Sequence, residues 1–184
     1  MNPLNAKQSK PLEGGASFPL KHRIFRLVWS LIWALLAAWT PPPMHRWRRL
    51  LLRIFGASVH PTARVYGGAS IWYPPNLSIG ANSVIGPGAN IYCMGCITIG
   101  EKVVISQGAY LCGGTHDISD PYFQLITRPI EICSLAWVAA EAFIGPGVTV
   151  GRGAVIGARS VLFKNAEENG VYAGNPAQFI RYRY

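Results

Sequence analysis

The chain has 184 residues, half of them hydrophobic, with 20 glycines and only 14% charged side chains. Such a composition argues against a solvated helical bundle and for a turn-rich β architecture in one domain with a small appendage. The net charge is +9, and no carboxylate lies between Glu13 and Glu101, a stretch holding Lys21, Arg23, Arg26, Arg46, Arg48, Arg49, Arg53 and Arg64. One-sided basicity of this kind attracts anionic partners such as a membrane surface or a phosphorylated ligand. No aromatic-basic motif of a nucleic-acid module accompanies it, so nucleic acid is not an expected partner.

Residues 1–20 contain Pro, Gly and Ser without an apolar period and are expected to form a disordered leader. Residues 21–56 form an apolar and basic helical segment. Its run Leu27 to Trp39 is about 13 residues, short of the roughly 20 needed to span a bilayer. Pro41-Pro42-Pro43 follows it, not a small-residue cleavage site, which argues against a signal peptide. His45 to Phe55 then predicts an amphipathic helix, with Trp47, Leu50, Leu51 and Ile54 on one face and Arg46, Arg49 and Arg53 on another. Two functions fit this hairpin. It can lie on a membrane with arginines at anionic headgroups, or it can cap the open end of the next domain.

From Val59 an apolar branched residue recurs every six positions. The series runs Val59, Val65, Ile71; Ile79, Ile85, Ile91; Ile99, Ile105, Leu111; Ile132, Val138, Ile144; Val150, Ile156, Leu162. A six-residue period fits neither an α-helix nor a hairpin array. It predicts a parallel β-helix of about five coils over residues 57–184, each hexapeptide forming one flat face of a triangular prism. Gly often follows the rung and is expected to permit the turn between faces. A small or β-branched residue usually stands four places after the rung, Thr115 among them, and is expected to fill the corner. Residues 163–184 form a short helical or extended tail. Cys93-Met94-Gly95-Cys96 is formally a metal-binding spacing, but no second pair or suitably placed His completes it, so buried thiols of a reducing cytosol are expected. The one long break in the repeat, residues 117–131, directly follows His116, and a loop of about 15 residues in so regular a solenoid is usually functional.

The hexapeptide pattern with Ala173-Gly174-Asn175-Pro176-Ala177 resembles the hexapeptide-repeat acyltransferases. The likeness is closer still to their exopolysaccharide (colanic-acid type) acetyltransferases. It rests on the stretch from His45 to Ala57, on Ile105-Ser106-Gln107 through Thr115-His116-Asp117, and on Ala136-Trp137-Val138. It implies a left-handed coil and a homotrimer with acetyl-CoA in the cleft between neighbouring prisms. It further implies transfer to a sugar hydroxyl of an exopolysaccharide precursor or lipid-linked oligosaccharide. The expected location is cytoplasmic, with peripheral contact at the inner membrane face. His116 is expected to act as general base on the hydroxyl, a role suited to an imidazole near neutral pH. Asp117, Asp120 or a backbone carbonyl would orient it. The resemblance places Trp137, Ala140, Ala158, Lys164 and Arg181 at the cofactor and gives an amide near Ala140 to the oxyanion. The acceptor-binding Asn of maltose- and galactoside-type enzymes is replaced by Gly86, so Tyr92 and Tyr122 are the candidate acceptor contacts. The usual Thr before the basic residue is Phe163. No metal is expected. A same-fold carbonic anhydrase needs three His ligands, and only His60 and His116 lie in the repeat. A non-catalytic membrane scaffold is the competing reading.

Overall fold

The computed structural model describes residues 3–184. After α1 (Ala6–Ser9), α2 (Leu20–Leu36) and α3 (His45–Ile54), the chain winds a solenoid. Its first coil is β1 (Ser58–Val59), β2 (Arg64–Val65) and β3 (Ser70–Ile71). The second is β4 (Leu77–Ile79), β5 (Val84–Ile85) and β6 (Asn90–Tyr92), and the third β7 (Ile97–Ile99), β8 (Val104–Ile105) and β9 (Tyr110–Cys112). An antiparallel hairpin, β10 (Gly114–His116) and β11 (Leu125–Thr127), then leaves the prism. Winding resumes with β12 (Ile130–Ile132), β13 (Trp137–Val138) and β14 (Phe143–Ile144), then β15 (Thr149–Val150), β16 (Val155–Ile156) and β17 (Val161–Leu162). A partial sixth coil follows: Ala166 bridges Val150, and β18 (Gly170–Ala173) stacks on β16 before β19 (Gln178–Tyr182) turns back on it.

The three prism faces are therefore β1-β4-β7-β12-β15, β2-β5-β8-β13-β16-β18 and β3-β6-β9-β14-β17, all parallel. The fold is a left-handed parallel β-helix with N-terminal helices. Every predicted rung stacks on its counterpart, as in Val59 on Ile79 on Ile99 on Ile132 on Val150. All fifteen are at most 5% exposed. Each contributes about 1.5–3 kcal/mol of burial, so these columns are the main source of stability.

Three details differ from the sequence expectation. The glycines that follow rungs do not make the turns. A side chain at Gly80 would put its Cβ 2.5 Å from the Gly100 carbonyl oxygen of the next coil, so these glycines permit close stacking. The left-handed turn residue stands three places after the rung, at Asn82, Lys102, Glu141 and Arg159, and at Gly88 and Gly108. Thr115 is not a corner residue either, because it lies in the hairpin. The break itself ends earlier than expected: Ile130 already pairs with Ile97 on the first face.

Along the faces the N–H groups point to the following coil, while those of the corner turns point back, so the faces of the first coil present carbonyls with no coil in front of them. His60, Arg64, Tyr66, Ser70 and Trp72 donate to Ile79, Ser83, Ile85, Ala89 and Ile91. The equivalent carbonyls of the first coil are Val59, Ala63, Val65, Ala69 and Ile71. Side chains of the helices bond all five. Arg53 Nε donates to Val59 at 2.8 Å, Arg49 to Ala63 at 2.8 Å and Arg48 Nε to Val65 at 2.6 Å. Trp33 donates to Ala69 at 2.8 Å and Trp29 to Ile71 at 2.6 Å. Arg49 and Arg53 thus turn to the prism and not to headgroups, and the capping function of residues 21–56 is realised. Arg48 is wholly buried and meets no carboxylate among the described residues. Its remaining nitrogens donate to Thr40 Oγ1, and to the Thr40, Pro41 and Pro42 carbonyls. Burial lowers its pKa from the ordinary arginine value.

Residues 3–20, expected from composition to form a leader, lie against the hairpin. Gln124 in the hairpin receives the Ala6 N–H at 2.7 Å and donates to the Leu4 carbonyl at 3.0 Å. Phe18 is buried with Met94 and Leu125. The contacts with Gln124 and Leu125 come from the hairpin, more than 100 positions away, and not from any local period.

Truncating Arg48 leaves several buried acceptors unpaired, at about 1–3 kcal/mol each. Arg48→Met should therefore lose at least about 3 kcal/mol, a fall in Tm of roughly 6–12 °C for a chain of this size. Arg46→Met, at an exposed position, should stay within about 0.5 kcal/mol of the parent. Thermal unfolding of the two variants checks this.

Candidate active site

His116 ends β10, at the prism edge between the third and first faces. Its Nδ1 lies 2.8 Å from the Phe123 carbonyl oxygen, and the Phe123 ring stacks on the imidazole at 4.2 Å and 11°. A carbonyl accepts only, so Nδ1 carries the hydrogen, and in the neutral ring Nε2 holds the lone pair. Nε2 has no partner among the described residues. Phe123 achieves both contacts at a φ of 54°, an uncommon conformation for a non-glycine residue.

Asp117 does not orient the imidazole. Its carboxylate accepts the Ser119 N–H at 2.9 Å, and Asp120 accepts the Tyr122 N–H at 2.9 Å. Both carboxylates are used to fold the hairpin tip, and the carbonyl alternative is the one realised.

His116 opens onto a cleft of about 460 Å³ whose lining includes Tyr92, Trp72, Arg23, Arg26 and the leader residues Gly14 to Phe18. Tyr92 shares this cleft with His116. Tyr122 does not: it borders a separate cleft with Lys7, Lys10 and Leu12. Sequence reasoning missed Phe123, the leader wall and the two arginines. The uninterrupted basic stretch was the available signal for the last.

The cofactor candidates are not beside His116 within the chain. Ala140 and Ala158 sit in turns at the edge between the second and third faces, after β13 and β16. The Ala140 N–H has no acceptor among the described residues. Trp137 projects from the second face, 45% exposed, and donates to Ser106 Oγ at 2.9 Å. It lines a cleft of about 520 Å³ with Lys102, Val104, Arg183 and Tyr184. Lys164 follows β17 on the His116 edge, and Arg181 lies exposed on β19.

Cys93 is buried, burial pushes its thiol up to about 12, and its Sγ donates to the Tyr73 carbonyl at 3.2 Å. No group of three His, Cys, Asp or Glu side chains among the described residues is placed to hold a metal ion.

No family model matches the chain. It is 42% identical over 156 residues to the Escherichia coli K12 protein named "Putative colanic acid biosynthesis acetyltransferase WcaF", covering 85% of this chain and 86% of that protein. It is 31% identical over 137 residues to the galactoside O-acetyltransferase of the same organism, covering 73% and 68%. Among solved structures, galactoside acetyltransferase in complex with coenzyme A superposes with a TM-score of 0.83 at 26% identity, over 92% of this chain and 86% of that one. A Vibrio cholerae hexapeptide-repeat acetyltransferase complexed with acetyl coenzyme A gives 0.81 at 21% identity, over 98% and 100%, a likeness of fold.

The leader wall is held by an aromatic contact that is sensitive to acid. His22 is 3% exposed and stacks on Phe18 at 4.6 Å. Burial, then the nearby Arg26 charge, lower its pKa from 6.5 to about 4. The unfolded chain thus binds more protons between those values, so stability is full above about 6.5 and falls as pH drops toward about 4. Protease resistance of residues 3–19 should fall over the same window. In His22→Phe that pH dependence should be absent; an unchanged dependence would remove His22 as its source.

Proposed function

The chain belongs to the hexapeptide-repeat acetyltransferase family, and from that premise we propose that it acetylates a sugar hydroxyl of an exopolysaccharide precursor or related glycan, with His116 as general base. It is an acetyl-CoA-dependent acetyltransferase. The observation that carries the finer reading is the imidazole fixed by the Phe123 carbonyl, with Nε2 free at an open cleft. The acceptor hydroxyl gives its proton to Nε2 while its oxygen attacks the thioester carbonyl. The C–S bond then breaks, and the coenzyme A sulfur leaves with that proton. The unbonded Ala140 amide is the donor for the intermediate's oxyanion. Direct transfer needs no acyl-enzyme.

His116 and the Ala140–Ala158 edge lie at opposite margins of the third face. They come together between protomers when the first face of one prism packs on the second face of the next. A cyclic trimer closes that contact three times. Trp137 then lies in the junction, and Lys164 reaches the same groove from the His116 side.

The protein we read as cytoplasmic, with α2 resting on the inner membrane face. No helix among the described residues is long and apolar enough to cross a membrane. With Trp29 and Trp33 turned to the prism, α2 leaves Leu27, Leu31 and Leu35 more than half exposed. Lys21, Arg23 and Arg46 are also exposed. An apolar row with flanking cations suits an anionic bilayer surface.

His116→Ala should lower acetyl transfer by about 10²–10⁴-fold, the range for a lost general base, while retaining acetyl-CoA binding. Ala158→Arg should block the cofactor edge. Co-assembly of the two inactive proteins should restore activity, because each shared site draws one edge from each protomer; an inactive mixture contradicts a shared site. The parent should sediment with phosphatidylglycerol vesicles and Leu27→Ser/Leu31→Ser should not. Equal sedimentation would separate α2 from membrane contact.

A further inference from the structure

The leader closes on itself before it reaches α2. The Leu4 N–H donates to the Ser17 carbonyl at 2.9 Å, so residues 4–17 form a compact loop. The end of that loop, from Gly14, lines the His116 cleft. One side chain of the hairpin ties the loop down. Gln124 Oε1 receives the Ala6 N–H at 2.7 Å, and Nε2 donates to the Leu4 and Leu125 carbonyls at 3.0 Å each. Both amide hydrogens and the amide oxygen are used, a set that a carboxylate cannot supply. Among the described residues, no other hairpin side chain is hydrogen-bonded to the leader. The tie adjoins the contact that orients the imidazole. The Phe123 carbonyl at His116 Nδ1 belongs to the peptide group that joins Phe123 to Gln124. That group is planar, so a fixed Gln124 fixes the direction of the carbonyl. The Gln124 carbonyl in turn accepts the Asp117 N–H at 2.9 Å, one residue after His116.

We infer that Gln124 is a positioning residue: its amide locks the leader loop to the hairpin, and through the Phe123–Gln124 peptide that lock holds His116 with a bare Nε2. The cleft wall and the imidazole are thereby set together, and opening the leader releases the ring. Gln124 acts through Phe123 and not on the reacting atoms. The inference rests on the general-base reading only for the value of that tautomer to acetyl transfer. The tautomer itself is read without turnover.

Two substitutions break the lock from opposite sides. Gln124→Glu keeps an acceptor for the Ala6 N–H but turns an oxygen toward the Leu4 and Leu125 carbonyls. Ala6→Pro removes the Ala6 N–H alone. Ala6 is the first residue of α1, where proline is accommodated, and Asn5 before it is extended, with φ −67° and ψ 119°. Each full-length protein is labelled with nitrogen-15 at histidine and also treated with a glutamate-specific protease. In both variants the two ring-nitrogen signals of neutral His116 should move toward each other, as the ring exchanges between tautomers. Cleavage after the exposed Glu13 should rise at least about tenfold, following the opened population of the loop. The double variant should exceed neither single one appreciably, because both remove one interaction. Leu12→Ala, exposed on the same loop and outside the lock, should leave both measurements unchanged. If Gln124→Glu does not fold, Ala6→Pro decides alone. Faster cleavage with unmoved His116 signals would overturn the positioning role, and so would no change in either measurement. An equal shift in Leu12→Ala would also overturn it. Full acetyl transfer by His116→Ala would instead strike the general base and leave these signals as they are.

Discussion

A parallel solenoid cannot satisfy its own first coil. Every later carbonyl on a face is bonded by the coil before it, but Val59, Ala63, Val65, Ala69 and Ile71 have none. Left to the cap without donors, each would carry the penalty of an unpaired buried polar group. The helices answer with three guanidiniums and two indoles, one donor for each carbonyl. Indole and guanidinium nitrogens only donate, so none of these groups introduces an acceptor needing a further partner. The same cap closes a sheet edge that would otherwise template pairing with another chain.

The cap also builds one wall of the His116 cleft. Trp29 and Trp33 fix α2 across the coil, and that fixes Arg26 and His22 one and two turns earlier on the helix. These in turn anchor Phe18, and the leader runs from there to Gln124 in the hairpin that carries His116. Stability and chemistry therefore share one chain of contacts: carbonyls, indoles, helix, leader, hairpin, imidazole. The outward aromatics of the third face, Tyr92, Tyr110, Phe143 and Phe163, continue it along the prism with centroid spacings of 5.3–6.1 Å.

The rungs were readable because period alone decides which side chains face inward, and all fifteen do. His116 stood out through the break in that period together with the family resemblance. Other features depend on long-range geometry that no local pattern records. Phe123 orients the imidazole through a backbone carbonyl, which every residue possesses. Asp117 drew attention by adjacency, yet its carboxylate satisfies its own turn. Arg49 and Arg53 belong by period to the basic face of an amphipathic helix, whereas their partners are carbonyls of a coil that begins a few residues later. The turn position three after the rung escaped notice because Asn, Lys, Glu, Arg and Gly all occupy it.

The chemical claim turns on which ring nitrogen of His116 carries the hydrogen. Nitrogen-15 NMR of the full-length protein labelled at histidine, with His116 assigned by its absence in His116→Ala, reads this directly at a pH where the ring is neutral. The Phe123 contact predicts a protonated Nδ1 and a bare Nε2. A protonated Nε2 would mean that the free nitrogen cannot take a proton from the acceptor, and the proposed base would be lost.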